Sequence, residues 1–588
     1  MSDLTSTPLT RRRVLTATAG IGASAVAATW LGGCSPSSDG SSDGNNPGND
    51  STVAVKELGP EAADKPLYPD GYVGAKARDY KPFTDGSKTF KVVGPQNTTT
   101  IGDWTSNHFS KWIEQRTGMK VEYQAVLTTA ADGTTQDLTK INAMIAAGDL
   151  PDAFIGIPFS PAQISLYGQQ GLFQPLDDLI KIYAPELRAA FEAYPELPTT
   201  LKSLDGKTYG FKALSDCYHC KASDGRAWVR QDYLDSMGAS MPTTTEELRE
   251  LLKMFKAKDP SGTGKMVPLA AGKQNRLDPY FMNSFLETPA PTYGWMTLAD
   301  GKVRFTAIQP EWREGLRYLR TLYDDGTLTE STFTATPEEL LALGNQGRIG
   351  MARAYYQGMI TDLSDKPGDT WTKWVPLPPV KGPAGVQKSC WSDNLLTGIP
   401  LLITNKCTNP ELFVQWGDYM LELTAQLMSY GGDKGENGNW DWAKEGETGL
   451  NGKQAVWYNK KYPAPVGQGW GQILYYFPKG FREGQRSDTS KPNYEKYLYD
   501  ATTPYEQYKP ARENQLPTLI YDDATAAEQS TLSAAVTPFV TQSLAEFATG
   551  KKDVNDNAAW QGYLDALDKM GIQQLVDLTQ KTYEAMPK

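Results

Sequence analysis

From Thr89 onward the hydrophobic positions switch repeatedly between two-residue and helical spacing. Thr89-Phe90-Lys91-Val92-Val93 alternates as a strand does. Over residues 105–117, Phe109, Trp112 and Ile113 recur at helical spacing, and Gly118 stands where a left-handed C-cap is favoured. Val121 to Val126 alternates again. Thr135 to Ala147 is a second amphipathic run, and Asp152 to Ile157 is a short apolar strand followed by helices from Pro161 and from Leu176. This β-α-β-α-β order predicts a parallel sheet covered by helices. Such sheets bind ligands beyond the carboxyl ends of their strands, here in the loops Gly94–Trp104 and Pro158–Ser160.

The pattern then starts again. Residues 226–257 give a strand and two helices, Gly294 to Thr306 a hairpin around Asp300-Gly301, and residues 310–325 a helix carrying Leu316, Leu319 and Leu322 on one face. Ile399 to Thr404 is an apolar strand, Pro410 to Tyr430 one long helix, and Asp523 to Met586 mostly helical. The chain builds one α/β unit, builds a second, and returns.

The first residues are an address. Arg11, Arg12 and Arg13 precede an Ala/Gly-rich apolar run from Val14 to Leu31, the layout of a secretory signal with a twin-arginine look. Leu-Gly-Gly-Cys, ending at Cys34, resembles a lipobox, in which the cysteine is lipidated and becomes the new N-terminus. Residues 1–33 are therefore read as a signal peptide. Residues 34–88, whose residues 35–52 read SPSSDGSSDGNNPGNDST, are read as a flexible tether, since they lack the periodicity needed to bury a core. The expected location is the outer face of the cytoplasmic membrane.

Composition narrows the chemistry. The formal charge is −11, and residues 1–33 hold three arginines against one aspartate, so the remainder is more acidic still. An acidic body argues against a nucleic-acid partner. Two histidines, His108 and His219, exclude any site of three imidazoles. No nucleophile elbow, Walker loop or dinucleotide fingerprint stands in a supporting context. A glycosidase needs two carboxylates at a set separation, which sequence spacing does not single out. Cys217 and Cys220 form C-x-x-C, while Cys390 and Cys407 lie far downstream. In an exported chain these are structural disulfides or free thiols, since neither a thioredoxin-like context nor two further zinc ligands accompany them.

An ordered series of segments resembles the large oligosaccharide-binding lipoproteins of bacterial ABC importers, the extracellular solute-binding family. AMIAAGDLPDAF (143–154), DGKTYGF (205–211) and WVRQDYLDSMGASMPTTTEEL (228–248) carry it first. DGKVRFTAIQPEWREGLRYLRTLYDDGTL (300–328), GRIGMA (347–352), ITNKCTNPELFVQW (403–416) and FATGKKDVNDNAAWQGYLDALDKMGI (547–572) continue it. One segment departs: DPSGTGKMVPL, from Asp259 to Leu269, stands where relatives carry a calcium-type loop, and lacks its later acidic pair. Calcium needs six to eight hard oxygens with several carboxylates. Asp259 is thus a weak remnant, and no metal or other cofactor is expected.

The resemblance implies an α/β fold of two hinged lobes, each a mostly parallel sheet flanked by helices. Residues 89–212 and 395–436 would form lobe 1, and 213–394 and 437–588 lobe 2. It implies a monomer that captures an oligosaccharide without catalysis and delivers it to the transmembrane subunits of an ABC permease. Sugars offer apolar C–H faces and a rim of hydroxyls, which aromatic rings and planar polar groups suit. Candidate contacts are Asp103 and Trp104, Tyr218 and His219, Trp228, and Tyr355, Tyr356 and Gln357, where relatives place a sugar-stacking aromatic. Trp391, Asp393, Asn394, Trp440, Trp442 and Trp470 complete the set. A peptide-binding receptor of the same fold, or a surface glycan-binding or glycosidase protein, is the alternative.

Overall fold

A computed structural model describes residues 54–129, 136–364, 366–461, 464–487 and 492–586. The signal peptide, Cys34 and the tether as far as residue 53 lie outside the described residues.

Two sheets organise the chain. The first contains β1 (Thr89–Pro95), β2 (Lys120–Val126), β3 (Ala153–Ile155), β4 (Gly210–Ser215), β11 (Leu396–Ile403) and β14 (Tyr476–Phe477), in the order β14-β4-β11-β3-β1-β2. All pairings are parallel except those of β11, which runs against both β3 and β4. The period of two explains why this sheet is buried on both faces. Phe90, Val92, Ala153, Ile155, Leu401 and Ile403 point into one cluster with the helices Asp177–Tyr183, Pro185–Ala193 and Pro410–Tyr419. Val93, Phe154 and Leu402 point into the other, against the helices Thr139–Ala147 and Pro161–Gln169.

The second sheet contains β5 (Ala227–Arg230), β6 (Val267–Ala270), β9 (Ile349–Arg353) and β10 (Trp374–Leu377), in the order β10-β5-β9-β6. Ala227, Val229, Leu269 and Met351 face a core shared with the helix Pro310–Asp324 and the C-terminal helices. Trp228, Ala270, Ala352 and Trp374 face a smaller cluster that includes Leu498 and Ala501. The hairpin β7 (Met296–Ala299) and β8 (Lys302–Phe305) packs beside the helix Ile572–Ala585, as its turn sequence predicts. A short ribbon of β12 (Trp440–Trp442) and β13 (Trp457–Asn459) completes the strands among the described residues.

Four expectations need correction. The second sheet is not mostly parallel: β5 runs against both β9 and β10, and only β6 and β9 are parallel. The lobe 1 boundaries also move. β4 carries the first sheet to Ser215, and residues from Trp440 to Phe481 return to it before the chain enters lobe 2 for good. Trp440, Trp457, Trp470 and Phe481 fill its core, and β14 pairs with β4. Residues 54–88 are no free tether, since Ala75 is part of that same core, with Tyr68, Tyr72 and Phe83 packed against it. Pro410 to Tyr430 is two helices, Pro410–Tyr419 and Leu423–Gly431. The break comes where the buried Glu422 caps the second, accepting from Ala425 N at 2.8 Å.

Candidate functional site

Strand register fixes where the lobes join. In the first sheet, Ser215 at the carboxyl end of β4 pairs with Leu396 and with Phe477. In the second, Ala227 at the start of β5 pairs with Arg353 and with Leu377. All three crossings between the lobes therefore leave the same edge of the first sheet. The first two reach the edge of the second sheet where β6 and β9 also end. The loops after β1 and β3 lie on one side of this junction, those after β6 and β9 on the other. Elsewhere the helix Pro161–Gln169 of lobe 1 meets the helix Asp523–Thr549 of lobe 2.

The loop after β9 presents two aromatic rings. The Arg353 guanidinium lies 4.5 Å from the Tyr355 ring centre, and Tyr355 Oη donates to Gln274 O at 3.2 Å. Tyr356 is 40% exposed and edge-on to Tyr494, 6.0 Å between ring centres. Gln357 lies fully buried, with neither amide atom partnered among the described residues.

The second crossing brings a polar network to the junction. Trp391 Nε1 donates to Asp393 Oδ1 at 2.8 Å, and Gln515 Nε2 donates to Asp393 Oδ2 at 2.8 Å. Burial works against the Asp393 charge, but these bonds and the Lys221 and Lys509 ammoniums hold its carboxyl below the usual range. Asn394 Nδ2 donates to Tyr293 Oη and Leu516 O, while Arg512 Nη1 donates to Asn394 Oδ1 at 2.7 Å. Trp391, Asn394, Tyr293, Gln515 and Glu287 line a small open recess, and burial pushes the Glu287 carboxyl upward. Tyr218 joins from the first crossing, its ring 6.2 Å from that of Trp391 and its Oη donating to Glu506 Oε2 at 2.7 Å. His219, next to it, is buried against Glu495.

Other candidates lie elsewhere. Trp104, Trp228, Trp440 and Trp470 are core residues, offering no open ring face. Each indole N–H is satisfied internally, by Pro95 O, Ala354 O, Gly432 O and Ser110 Oγ respectively. Gly94 makes room for Trp104, since a Cβ there would stand 2.7 Å from its ring. Trp442 is half-buried, pinned by Asp64 O and by Lys434 4.4 Å from its ring centre. Asp103 is exposed and closes a turn, its Oδ1 accepting from Ser106 N at 2.8 Å, which holds its carboxyl below the usual range. Asp259 is spent within its own loop, accepting from Gly264 N at 2.6 Å and from Ser261 Oγ. Cys217 and Cys220 form a disulfide, while Cys390 and Cys407 are separate buried thiols.

The structure thus gathers Tyr218, Trp391, Asp393 and Asn394 at the junction, with Tyr355 and Tyr356 on the lobe 2 edge. Sequence reasoning missed Tyr293, Gln515, Arg512 and Arg353. Arg353 had a signal, a charge closing an otherwise apolar strand; the others sit in loops that only the fold brings to the crossing.

Residues 96–427 match the family model described as bacterial extracellular solute-binding protein. The chain is similar to the fructooligosaccharide ABC transporter substrate-binding protein FusA of Streptococcus pneumoniae, 23% identical over 84% of this chain and 90% of that one. Among solved structures, FusA of S. pneumoniae in complex with kestose aligns with a TM-score of 0.66 at 20% identity, over 84% of this chain and 99% of that one. An HMO-binding, ABC-transporter-associated solute-binding protein of Bifidobacterium longum infantis aligns with 0.68 at 18% identity, over 86% and 100%.

Proposed function

The chain belongs to the bacterial extracellular solute-binding protein family, and on that premise we propose that it captures an oligosaccharide outside the cell and hands it to the transmembrane subunits of an ABC permease. The reading is carried by Tyr355 and Tyr356, rings at the carboxyl end of β9 beside the inter-lobe junction. They suit the C–H face of a sugar, and the Asp393 carboxylate and Asn394 Oδ1, as acceptors, suit its hydroxyls. The sugar-binding names of the relatives support it over nearly their whole length. No bond is made or broken. Cys34 carries the lipid that keeps the monomer at the outer face of the membrane, and Cys34→Ser should release it to the medium.

Calorimetric titration against a panel of glycans, including fructooligosaccharides, amino acids and short peptides, tests the ligand class. Saturable heat with at least one oligosaccharide is expected. Binding confined to peptides or amino acids would refute the proposal, as would glycan cleavage by the pure protein.

A further inference from the structure

The first crossing carries a group of side chains that sugar capture leaves unused. Cys217, His219 and Cys220 lie in and just before the 3₁₀ turn Tyr218–Cys220, and three residues per turn bring positions 217 and 220 to the same side. One ligand atom from each of the three lies within 4.8 Å of the others, with Cys217 and His219 buried and Cys220 half-buried. A second observation is independent of the cysteines. His219 Nε2 lies 3.0 Å from the buried Glu495 Oε2, a close but poorly aligned ion pair, on the helix Tyr494–Glu506, which packs on this turn. A metal-binding histidine characteristically gives its other ring N–H to a carboxylate, which fixes the tautomer and raises the basicity of the free nitrogen. With Nε2 facing the Glu495 carboxylate, Nδ1 is the ring nitrogen left for an ion.

We propose that reduction of the Cys217–Cys220 disulfide opens a zinc site whose ligands are the two thiolates and His219 Nδ1, with water in the fourth position. Two sulfurs and one imidazole are a zinc donor set, at about 2.3 Å for Zn–S and 2.0–2.1 Å for Zn–N. While the sulfurs are bonded to each other, neither is a thiolate and no ion binds. A phosphine reductant breaks the S–S bond, giving up two electrons and taking oxygen from water to become the phosphine oxide, with two thiols as the protein product. Zinc then displaces the two thiol protons. Two thiolates cancel the zinc charge, and Glu495 leaves the group anionic. The buried Arg226, whose Nη2 donates to His219 O at 2.5 Å, stands beside it as a cation. Glu495 is a positioning residue here, acting through the imidazole.

The test uses the full-length protein, treated with a phosphine and then offered zinc or cobalt(II). The reduced chain should take up one equivalent of zinc, and cobalt(II) should give a thiolate-to-metal charge-transfer band. The oxidised chain should do neither. Zinc should slow alkylation of Cys217 and Cys220, mapped by mass spectrometry, and leave Cys390 and Cys407 unaffected. Glu495→Gln should weaken zinc by about 10–100-fold while keeping the stoichiometry. Absence of zinc uptake by the reduced chain, or undiminished uptake by Cys217→Ser/Cys220→Ser, would overturn the proposal. If that double variant does not fold, the alkylation pattern of the unaltered chain decides: equal rates with and without zinc reject the site. None of these readouts depends on the sugar.

Discussion

Arg78→Ala tests whether residues 54–88 are part of lobe 1 or a strap laid over it. Arg78 Nε lies 2.7 Å from Glu186 Oε1, a close but poorly aligned ion pair, and Nη1 donates to Gly59 O at 2.8 Å. Glu186 is 2% exposed and also accepts from Tyr80 Oη at 2.7 Å. Burial raises the Glu186 carboxyl above its ordinary range, and the Arg78 charge opposes that rise. Removing the guanidinium leaves a buried carboxylate short of its nearest cation, a loss of about 3–5 kcal/mol. Tyr80 and the more distant Arg116 remain, so the lower end, about 3 kcal/mol, is expected. The pH dependence has a definite sign. A carboxyl whose folded pKa exceeds its unfolded one binds more protons when folded, so falling pH favours the folded state until the unfolded pKa is reached. Without Arg78 that folded pKa rises further, and the deficit of the variant should shrink between pH 8 and pH 5. Urea unfolding followed by tryptophan fluorescence at both pH values measures it. Arg78→Ala/Glu186→Gln should recover part of the loss at pH 8. A deficit under about 1 kcal/mol at pH 8, or one that does not change with pH, would refute the reasoning and return the segment to the status of a loose arm.

Tyr355→Ala and Tyr356→Ala should each weaken oligosaccharide binding by about 1–3 kcal/mol in calorimetry; unchanged affinity in both would misplace the cleft. Trp470→Ala should instead cost about 3–5 kcal/mol of unfolding free energy, read by denaturant titration, because its ring is core and not platform. Calcium chelation should leave the thermal midpoint unchanged, since the Asp259 carboxylate is already taken by Gly264 N and Ser261; a fall of several degrees would show an ion holding the loop.

Local periodicity predicts what local physics decides. β1, β2 and β3 and the helices between them fall where alternation and helical spacing place them, because each strand must feed two cores. The failures are tertiary. β14 is two residues long and exists only because β4 offers it an edge. The apolar run from Pro410 reads as one helix until Glu422 is seen capping a second against Arg116. The antiparallel course of β5 comes from a crossing that enters lobe 2 at the end where β9 finishes, which spacing does not encode. Among the aromatics, Trp440 and Trp470 sit in Gly/Asn-rich sequence, the usual mark of an exposed loop. They are buried because Gly432 O and Ser110 Oγ meet their N–H groups. Nothing in the sequence separates them from Tyr356, whose exposure depends on its place at the end of a strand.

The crossings also locate the bending. The second crossing is tied to lobe 2 along much of its length: Ser389 N donates to Tyr508 O at 2.9 Å, Asp393 N to Gln515 Oε1 at 2.7 Å, and Asn394 Nδ2 to Leu516 O at 3.0 Å. It is tied to the first crossing as well, through Ser392 N and Lys221 O at 2.9 Å. On the lobe 1 side, Asp216 N donates to Phe477 O at 3.0 Å. Lys221 spans the gap, 3.6 Å from Asp216 and 3.8 Å from Asp393. A hinge is absorbed by a few residues at the ends of elements. In these two crossings, Asp216 to Tyr218 and Asn394 to Leu396 lie between the lobe 1 anchors and the lobe 2 anchors, so closure turns the first and second crossings there. Hydrogen exchange with and without a bound glycan should therefore change at residues 216–218 and 394–396, while 389–393 stays protected in both states. Ligand-dependent exchange spread evenly along 378–396 would mean that the second crossing flexes as a whole, and that the network around Asp393 does not hold it.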